Sequence, residues 1–275
     1  MTHAVQQLGA GVLTALEHFG RAAVFCTQVG RWMVADLPNL RRWRLALPQL
    51  YDVGTRSIPV IIVIGAFIGM MLAVELYEQF RAVGQEAWLG GVIGVSVVGH
   101  LGPVMAAMIL AGRVGGAFTA ELGTMNVTEQ IDALRVMAAE PISYLAVPRV
   151  VACVIMVPVL TIFSDVLGVF GGWLITVVVH GVNSHDYWAF AASFVTLWDI
   201  GVGLVKALFF GLAIGLVSCY KGFHCGRGAR GVGRATTEAF VVSFIAIIVL
   251  NFFLAKFATD LHALFGASSL RVPMG

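Results

Sequence analysis

Charged side chains are scarce in this chain: they make up 12% of its 275 residues, against 59% hydrophobic ones. A soluble domain carries about 25% charged residues, so a water-facing surface cannot be built from this composition. Cysteines are few as well. Cys26, Cys153, Cys219 and Cys225 have no framework spacing, which excludes a disulfide-rich secreted scaffold. Cys219, His224 and Cys225 stand close in sequence. A zinc site pairs a CxxC-type spacing with a second pair of ligands, so free thiols near a helix end are expected instead. There is no GxxxxGK(S/T) phosphate loop, no HExxH and no GxSxG. Gly112–Phe118, GRVGGAF, is glycine-rich but lacks the Lys-Ser/Thr that would hold phosphate and metal, and it reads as the end of a membrane helix. No hydrolytic machinery is evident. No basic n-region heads the chain, and Glu17, His18 and Arg21 interrupt its first apolar part, so no cleavable signal peptide is expected.

What the chain does have is long apolar runs, with a mean hydropathy of +0.90. Five of them, at about 57–79, 88–112, 147–179, 197–220 and 237–258, carry few charges. About 20 apolar residues cross a bilayer core as a helix. The runs are continuous rather than alternating, which excludes a transmembrane barrel. The third is long enough to tilt or kink around Pro158. An all-α membrane protein with five spans is therefore expected. Gly65/Gly69, Gly168/Gly172 and Gly211/Gly215 are GxxxG pairs, and small residues let helices in lipid approach closely.

Residues 1–50 are too polar to span. Val5, Leu8, Val12, Leu16, Phe19 and Ala23 recur at helical spacing, with Gln6, Gln7, Thr14, Glu17, His18 and Arg21 largely elsewhere on the wheel. That pattern predicts an amphipathic helix in the membrane interface. Arg41–Arg44, RRWR, sets a tryptophan among arginines, as at a headgroup boundary. The layout is then an N-terminal interfacial region at 1–50, a five-helix domain at 51–265 and a short tail at 266–275. Basic residues orient it. Thirteen (Arg21, Arg31, Arg41, Arg42, Arg44, Arg56, Arg113, Arg135, Arg149, Lys221, Arg227, Arg230 and Arg234) fall at the N-terminus and the even loops, against two, Arg81 and Arg271, on the other side. The N-terminus is expected in the cytoplasm, and the C-terminus and the loops near 81–87 and 180–188 outside.

Asn126–Pro141, NVTEQIDALRVMAAEP, is a polar segment between two membrane-grade runs. Asn126 with Glu129 three residues on reads as a capping box. Val127, Ile131, Leu134 and Ala138 make one stripe, and Asp132 can pair with Arg135 at i,i+3. Pro141 helps end the helix. A short helix at about 126–140 in a cytoplasmic loop suits either a docking knob or a solvated connector.

Ionisable groups inside a membrane are costly. Lys206 lies in the fourth run, Asp165 in the third and His100 in the second. Glu75 and Lys256, nearer run ends, are expected to snorkel. Asp165 is expected to make an interhelical hydrogen bond, and Lys206 to face a cavity. Leu72, Leu76, Phe80 and Val83 line up along the outer end of the first run, as an acyl-chain wall or as plain packing.

Gly102–Ala152, GPVMAAMILAGRVGGAFTAELGTMNVTEQIDALRVMAAEPISYLAVPRVVA, resembles the signature region of the MlaE/YrbE family, the permease subunits of ABC transporters that work with MCE proteins. Gln49–Ala73, QLYDVGTRSIPVIIVIGAFIGMMLA, and Gly233–Ser243, GRATTEAFVVS, are similar to their family counterparts, and the likeness covers most of the chain from Gln49 on. The resemblance implies a homodimer in the bacterial inner membrane. It implies a cytoplasmic ATPase pair that binds ATP and Mg²⁺, often a STAS-domain protein, and a periplasmic MCE ring. No cofactor is expected in this chain, and no nucleic-acid partner. The implied substrate is phospholipid or a related lipid. Glu129, Gln130, Ile131, Asp132, Leu134 and Arg135 match the family's coupling helix, which seats in the ATPase. Leu72, Leu76, Phe80, Val83, His100 and Lys206 are the residues expected to meet lipid. Family members often carry an acidic residue, usually after Arg, directly before LGP; here Gly99-His100 stands there. The alternative is a proton-coupled carrier working through His100, Asp165 and Lys206. It would normally show internal repeats, and none is seen. An intramembrane enzyme would need a convergent nucleophile and base, which no spacing here supplies.

Overall fold

The computed structural model describes residue 17, residues 20–35 and residues 40–266. The stripe from Val5 to Phe19, the side chains of Arg41–Arg44 and the tail at 267–275 lie outside the described residues. Every element among the described residues is helical. The helices are α1 (20–35), α2 (Leu40–Val53), α3 (Ile58–Ala82), α4 (Leu89–Ser96), α5 (Gly102–Leu110), α6 (Gly116–Val127), α7 (Gln130–Val136), α8 (Val147–Trp173), α9 (Ser184–Phe194), α10 (Leu197–Phe223) and α11 (Gly228–Gly266).

Among the described residues, five stretches are long and apolar enough to cross a membrane: Leu45–Ala82, Glu86–Val127, Ile142–Val179, Leu197–Phe223 and Gly228–Ala263. They contain the five expected runs, and the second extends well beyond its expected end. Gly112–Phe118 does not end that helix. Ala111–Gly115 forms a π-bulge there and α6 carries on. Charge does not stop it, because Arg113 donates to Ser57 Oγ. Glu121 accepts from Arg149 Nη2 at 2.9 Å. Pro158 sits inside α8 without ending it.

The long α8 is the hub: α3 packs along one side of it and α10 along another, and α2 also lies against it. Association in lipid rests on close packing rather than on hydrophobic transfer, and the glycine pairs supply it. A Cβ on Gly65 would lie 2.8 Å from the Ser164 carbonyl oxygen, and one on Gly69 would run into the Gly168 carbonyl. A Cβ on Gly211 would sit 2.5 Å from the Cys153 carbonyl, and one on Gly215 3.0 Å from Val150 Cα. Between these crossings lies the central core of Ile61, Leu110, Val157, Leu160, Phe210, Ile214 and Ile247. Only 11% of the apolar window of the fifth span is buried, against 50% for the second, so α11 is peripheral.

Each end of the bundle has its own apolar cluster. At the end that carries α7, Phe25 and Val29 of α1 pack with Leu122, Ile131, Val147 and Val150. Phe25 also meets the rings of Tyr220 and Phe223 at 5.7 and 5.8 Å. Thus α1 turns Phe25 and Val29 to the bundle, while Ala23, expected on the apolar stripe, is exposed. At the other end, Tyr187 of α9 is fully buried with Tyr77, Leu89 and Ile93. Its hydroxyl donates to the Val169 carbonyl at 2.9 Å. Asn183 caps α9 by accepting from His185 N; this helix follows the third run, in a stretch that reads as a plain loop.

The close crossings set the first prediction. Gly69→Val forces α3 off α8 and lowers the melting temperature in detergent by at least several degrees, as overpacking at backbone contact costs roughly 1–3 kcal/mol or more. Gly201→Ala, at a helical glycine with nothing within 4 Å, leaves it equal or higher. Similar melting of the Gly69 variant and wild type would contradict the packing.

Candidate functional site

The second span breaks its α-helical ladder at Val97–Leu101, a π-bulge in which the Gly102 N–H bonds to the Val97 carbonyl. Pro103 follows immediately. In α-register the Gly99 carbonyl would accept from the N–H of residue 103, and proline has none. A carbonyl without a donor in a bilayer is expensive. Lys206 of α10 supplies the donor: its Nζ gives a hydrogen bond to Gly99 O at 2.9 Å. His100 Nδ1 stands 3.4 Å from the same nitrogen, a long contact. The close approach is set by Gly203, where a Cβ would lie 2.6 Å from the Val98 carbonyl.

Lys206 is 1% exposed, yet it reaches a cavity of about 190 Å³ between the second, fourth and fifth spans. Its polar wall is His100, Asp199, Lys206, Thr259 and His262, with Trp198 beside them. Asp199 is fixed by the N-cap of α10: its Oδ2 accepts from Thr196 N at 2.9 Å and Thr196 Oγ1 at 2.6 Å. His262 of α11 lies with its ring centroid 5.5 Å from that of Trp198.

The structure thus brings His100 and Lys206 together, as cavity residues. Asp165 is elsewhere. It sits against Gly102, so closely that a Cβ there would run into its Oδ1, and that oxygen is buried with no hydrogen-bond partner among the described residues. The expected interhelical hydrogen bond is absent at Oδ1, because the backbone it meets presents a Cα instead of a donor. His100, Asp165 and Lys206 therefore do not line one path. Leu72, Leu76 and Phe80 are half-buried in the α9-end cluster, away from the cavity wall, and Val83 is exposed. Glu75 and Lys256 are exposed. Asp199, Thr259 and His262 were missed by the sequence reading. Thr196-x-x-Asp199 was readable as a capping pair; nothing marked Thr259 and His262, which reach the cavity only through tertiary packing.

At the opposite end, α7 differs from the expected helix. Asn126 does not cap it, because α6 runs on through Val127 and the Asn126 amide lies 3.7 Å from Cys225 Sγ. Glu129 enters α7 at φ 59°, with no side-chain cap. Pro141 does not end it either. Ala138, at φ 56°, closes it: its N–H bonds to Arg135 O and that of Ala139 to Leu134 O, a Schellman pattern with alanine in the left-handed place. Asp132 and Arg135 do pair, at 2.8 Å, and both are exposed. Glu129 and Gln130 face outward too. Ile131 and Leu134 pack inward on the bundle, whereas Val127 and Ala138 of the expected stripe are exposed. Val136 and Met137, which the pattern did not single out, are 87% and 68% exposed. Beside this tip, Arg21, Phe25, Gln28, Arg135, Phe223 and His224 line a groove of about 540 Å³.

No group of three metal-type ligands occurs among the described residues. Cys219 is buried in the α7-end cluster, Cys225 donates to Gly123 O, and His224 Nδ1 contacts Tyr220 O.

Five apolar spans, a buried lysine at a broken helix and a polar cavity among the spans define a polytopic α-helical membrane protein with a solute-sized site within the bundle. Residues 46–257 match the family described as Permease MlaE, and the chain belongs to that family. It is 34% identical over 254 residues to the intermembrane phospholipid transport system permease protein MlaE of Haemophilus influenzae, covering 91% of this chain and 95% of that one. It is 41% identical to a probable ABC transporter permease protein of Synechocystis, covering 85% of this chain and 88% of that one. A probable ABC transporter permease protein of Rickettsia typhi is 42% identical, over 77% of this chain and 82% of its own.

The lysine and the proline are coupled in this account. Lys206→Met removes the donor from Gly99 O and lowers stability by about 1–3 kcal/mol, the cost of a buried unsatisfied carbonyl. In a Pro103→Ala background, where residue 103 has an N–H to offer, the same change costs less. Equal losses in both backgrounds, measured by thermal unfolding in detergent, would contradict the assignment.

Proposed function

We propose that the chain is the membrane subunit of an ABC transporter that moves phospholipid or a related lipid between the inner membrane and the cell envelope. Two copies form the membrane unit. A separate cytoplasmic ATPase pair, which binds ATP and Mg²⁺, seats against the α7 end and drives it. An MCE-domain protein covers the other side, and a STAS-domain protein accompanies the ATPase. The membrane is the bacterial inner membrane, with the N-terminus and α7 in the cytoplasm and α9 and the C-terminus in the periplasm. The charge asymmetry of the loops supports this orientation, and the transport roles in the names of the relatives support the transport class.

The observation that carries the coupling reading is the tip of α7. Val136 and Met137 stand out at 87% and 68% exposure, held by a closed helix end, next to the paired charges Asp132 and Arg135. Glu129 and Gln130 belong to the same outward surface, while Ile131 and Leu134 seat the helix on its own bundle. On the periplasmic side, His100 and Lys206 receive the lipid head group. Leu72, Leu76, Phe80 and Val83, on α3 and its C-terminal end and away from that cavity, offer a separate apolar wall for acyl chains at the α9 end of the bundle. A phosphate close to the Lys206 ammonium offsets the cost of holding that charge at depth, at least about 2.5–3.5 kcal/mol.

Val136→Asp with Met137→Asp leaves the membrane fold intact and lowers recovery of the ATPase in co-purification at least about tenfold, since an unpaired carboxylate in an apolar groove costs several kcal/mol. Leu134→Asp reduces the melting temperature as well, because Leu134 packs inward. Undiminished ATPase recovery with the double variant would sink the docking role of α7. For orientation, cysteines at His185 and Arg230, on a background without the four native ones, are probed with an impermeant thiol reagent in cells with a permeabilised outer membrane. Labelling of His185→Cys alone is expected; labelling of Arg230→Cys alone would reverse the topology.

A further inference from the structure

We infer that the cavity at Lys206 selects a head group carrying both a phosphate and a primary ammonium, that is, a phosphoethanolamine lipid. The inference rests on the reading of this chain as a lipid permease and names the head group that such a permease would prefer.

The cavity wall carries one fixed cation and one fixed anion on the same helix face. Asp199 and Lys206 are seven residues apart on α10 and both line the cavity. Seven residues advance a helix by about 10 Å. Helical side chains lean toward the N-terminus, and lysine is the longer of the two, so the gap between the charges is shorter than that rise, toward the scale of phosphate and amine in one head group. Each charge has hydrogen-bonding capacity to spare. The Lys206 ammonium has three protons. One goes to Gly99 O at 2.9 Å, and His100 Nδ1 faces a second across 3.4 Å. The third is left for a ligand oxygen. Both cap bonds of Asp199 use Oδ2, which leaves Oδ1 for a ligand donor.

The chemistry of the wall discriminates among head groups. Among the described residues, the titratable groups facing the cavity are His100, Asp199, Lys206 and His262. The fixed charges of the wall, Lys206 and Asp199, are opposite in sign. A purely anionic head group would gain Lys206 but place its charge near Asp199. A quaternary ammonium has no N–H to give to Asp199 Oδ1. A primary ammonium has three. Thr259 of the cavity wall has committed its hydroxyl proton to Ala255 O at 3.0 Å, so toward a ligand its oxygen can only accept, again suited to an ammonium. The cavity of about 190 Å³ has room for a head group, since about 10–15 Å³ of such space already admits one water.

The full-length protein is loaded in mixed micelles with equal amounts of phosphoethanolamine, phosphoglycerol and phosphocholine lipids of identical acyl chains, and bound lipid is read by native mass spectrometry. Wild type carries the phosphoethanolamine lipid in about tenfold preference, the equivalent of one charged hydrogen bond. Asp199→Asn carries lipid with little preference, and Asp199→Glu recovers it, which separates head-group choice from capping of α10. Excess free O-phosphoethanolamine competes only weakly, because it lacks the acyl chains. Equal loading of the three lipids by wild type, or an undiminished preference in Asp199→Asn, would overturn the head-group assignment and leave the lipid-permease reading standing. Absence of any bound lipid, with free O-phosphoethanolamine retained, would overturn both.

Discussion

A bilayer core offers no water, so every backbone donor and acceptor in it must find a partner inside the protein. Much of this molecule follows from that constraint. It makes the spans helical, and it decides what happens where a helix is interrupted. Pro103 takes away the N–H that the Gly99 carbonyl would have used. The helix responds by widening into a π-bulge at Val97–Leu101, and a lysine from another span supplies the missing donor. A costly charge and a costly carbonyl satisfy each other, and the opening between the second, fourth and fifth spans is the cavity that results. Helix interruptions of this kind are frequent at functional sites.

The same interaction needs backbones in near contact. Gly203 lets α10 lie on the bulge, and Gly211 and Gly215 let its other half lie on α8. Gly65 and Gly69 bring α3 onto α8 from another side. α8 thus holds both neighbours through backbone contact rather than through side chains. Arg149 ties that end in: its side chain, 8% exposed, pairs with Glu121 of α6 and bonds to Leu145 O. Its guanidinium lies 5.6 Å from the Phe118 ring centroid. The α7 tip and the cavity at Lys206 are thus opposite ends of one set of closely packed helices.

The spans and their glycine contacts were legible in the sequence because length, apolarity and small-residue spacing are local properties. The meeting of Lys206 and His100 at one cavity was legible through cost, since ionisable groups in membrane runs are placed where polar surroundings can take them. The details of α7 were not. Asn126-x-x-Glu129 has the form of a capping box, but α6 continued past it and Cys225, distant in sequence, engaged the asparagine. The stripe was also read for the wrong partner: Ile131 and Leu134 seat α7 on its own bundle, leaving Val136 and Met137 outward. Asp199 and His262 line the cavity only because α10 and α11 meet there, and no periodicity within either helix reveals that.

We propose that the broken second span and Lys206 together form the place where a lipid head group sits. A cryo-electron microscopy map of the nucleotide-free transporter in lipid nanodiscs tests it directly. The account predicts head-group density within hydrogen-bond distance of Lys206 Nζ, with Gly99 O still bound to that nitrogen. Well-resolved lipid elsewhere in the membrane unit, with only water in the cavity of His100, Asp199 and Lys206, would contradict it.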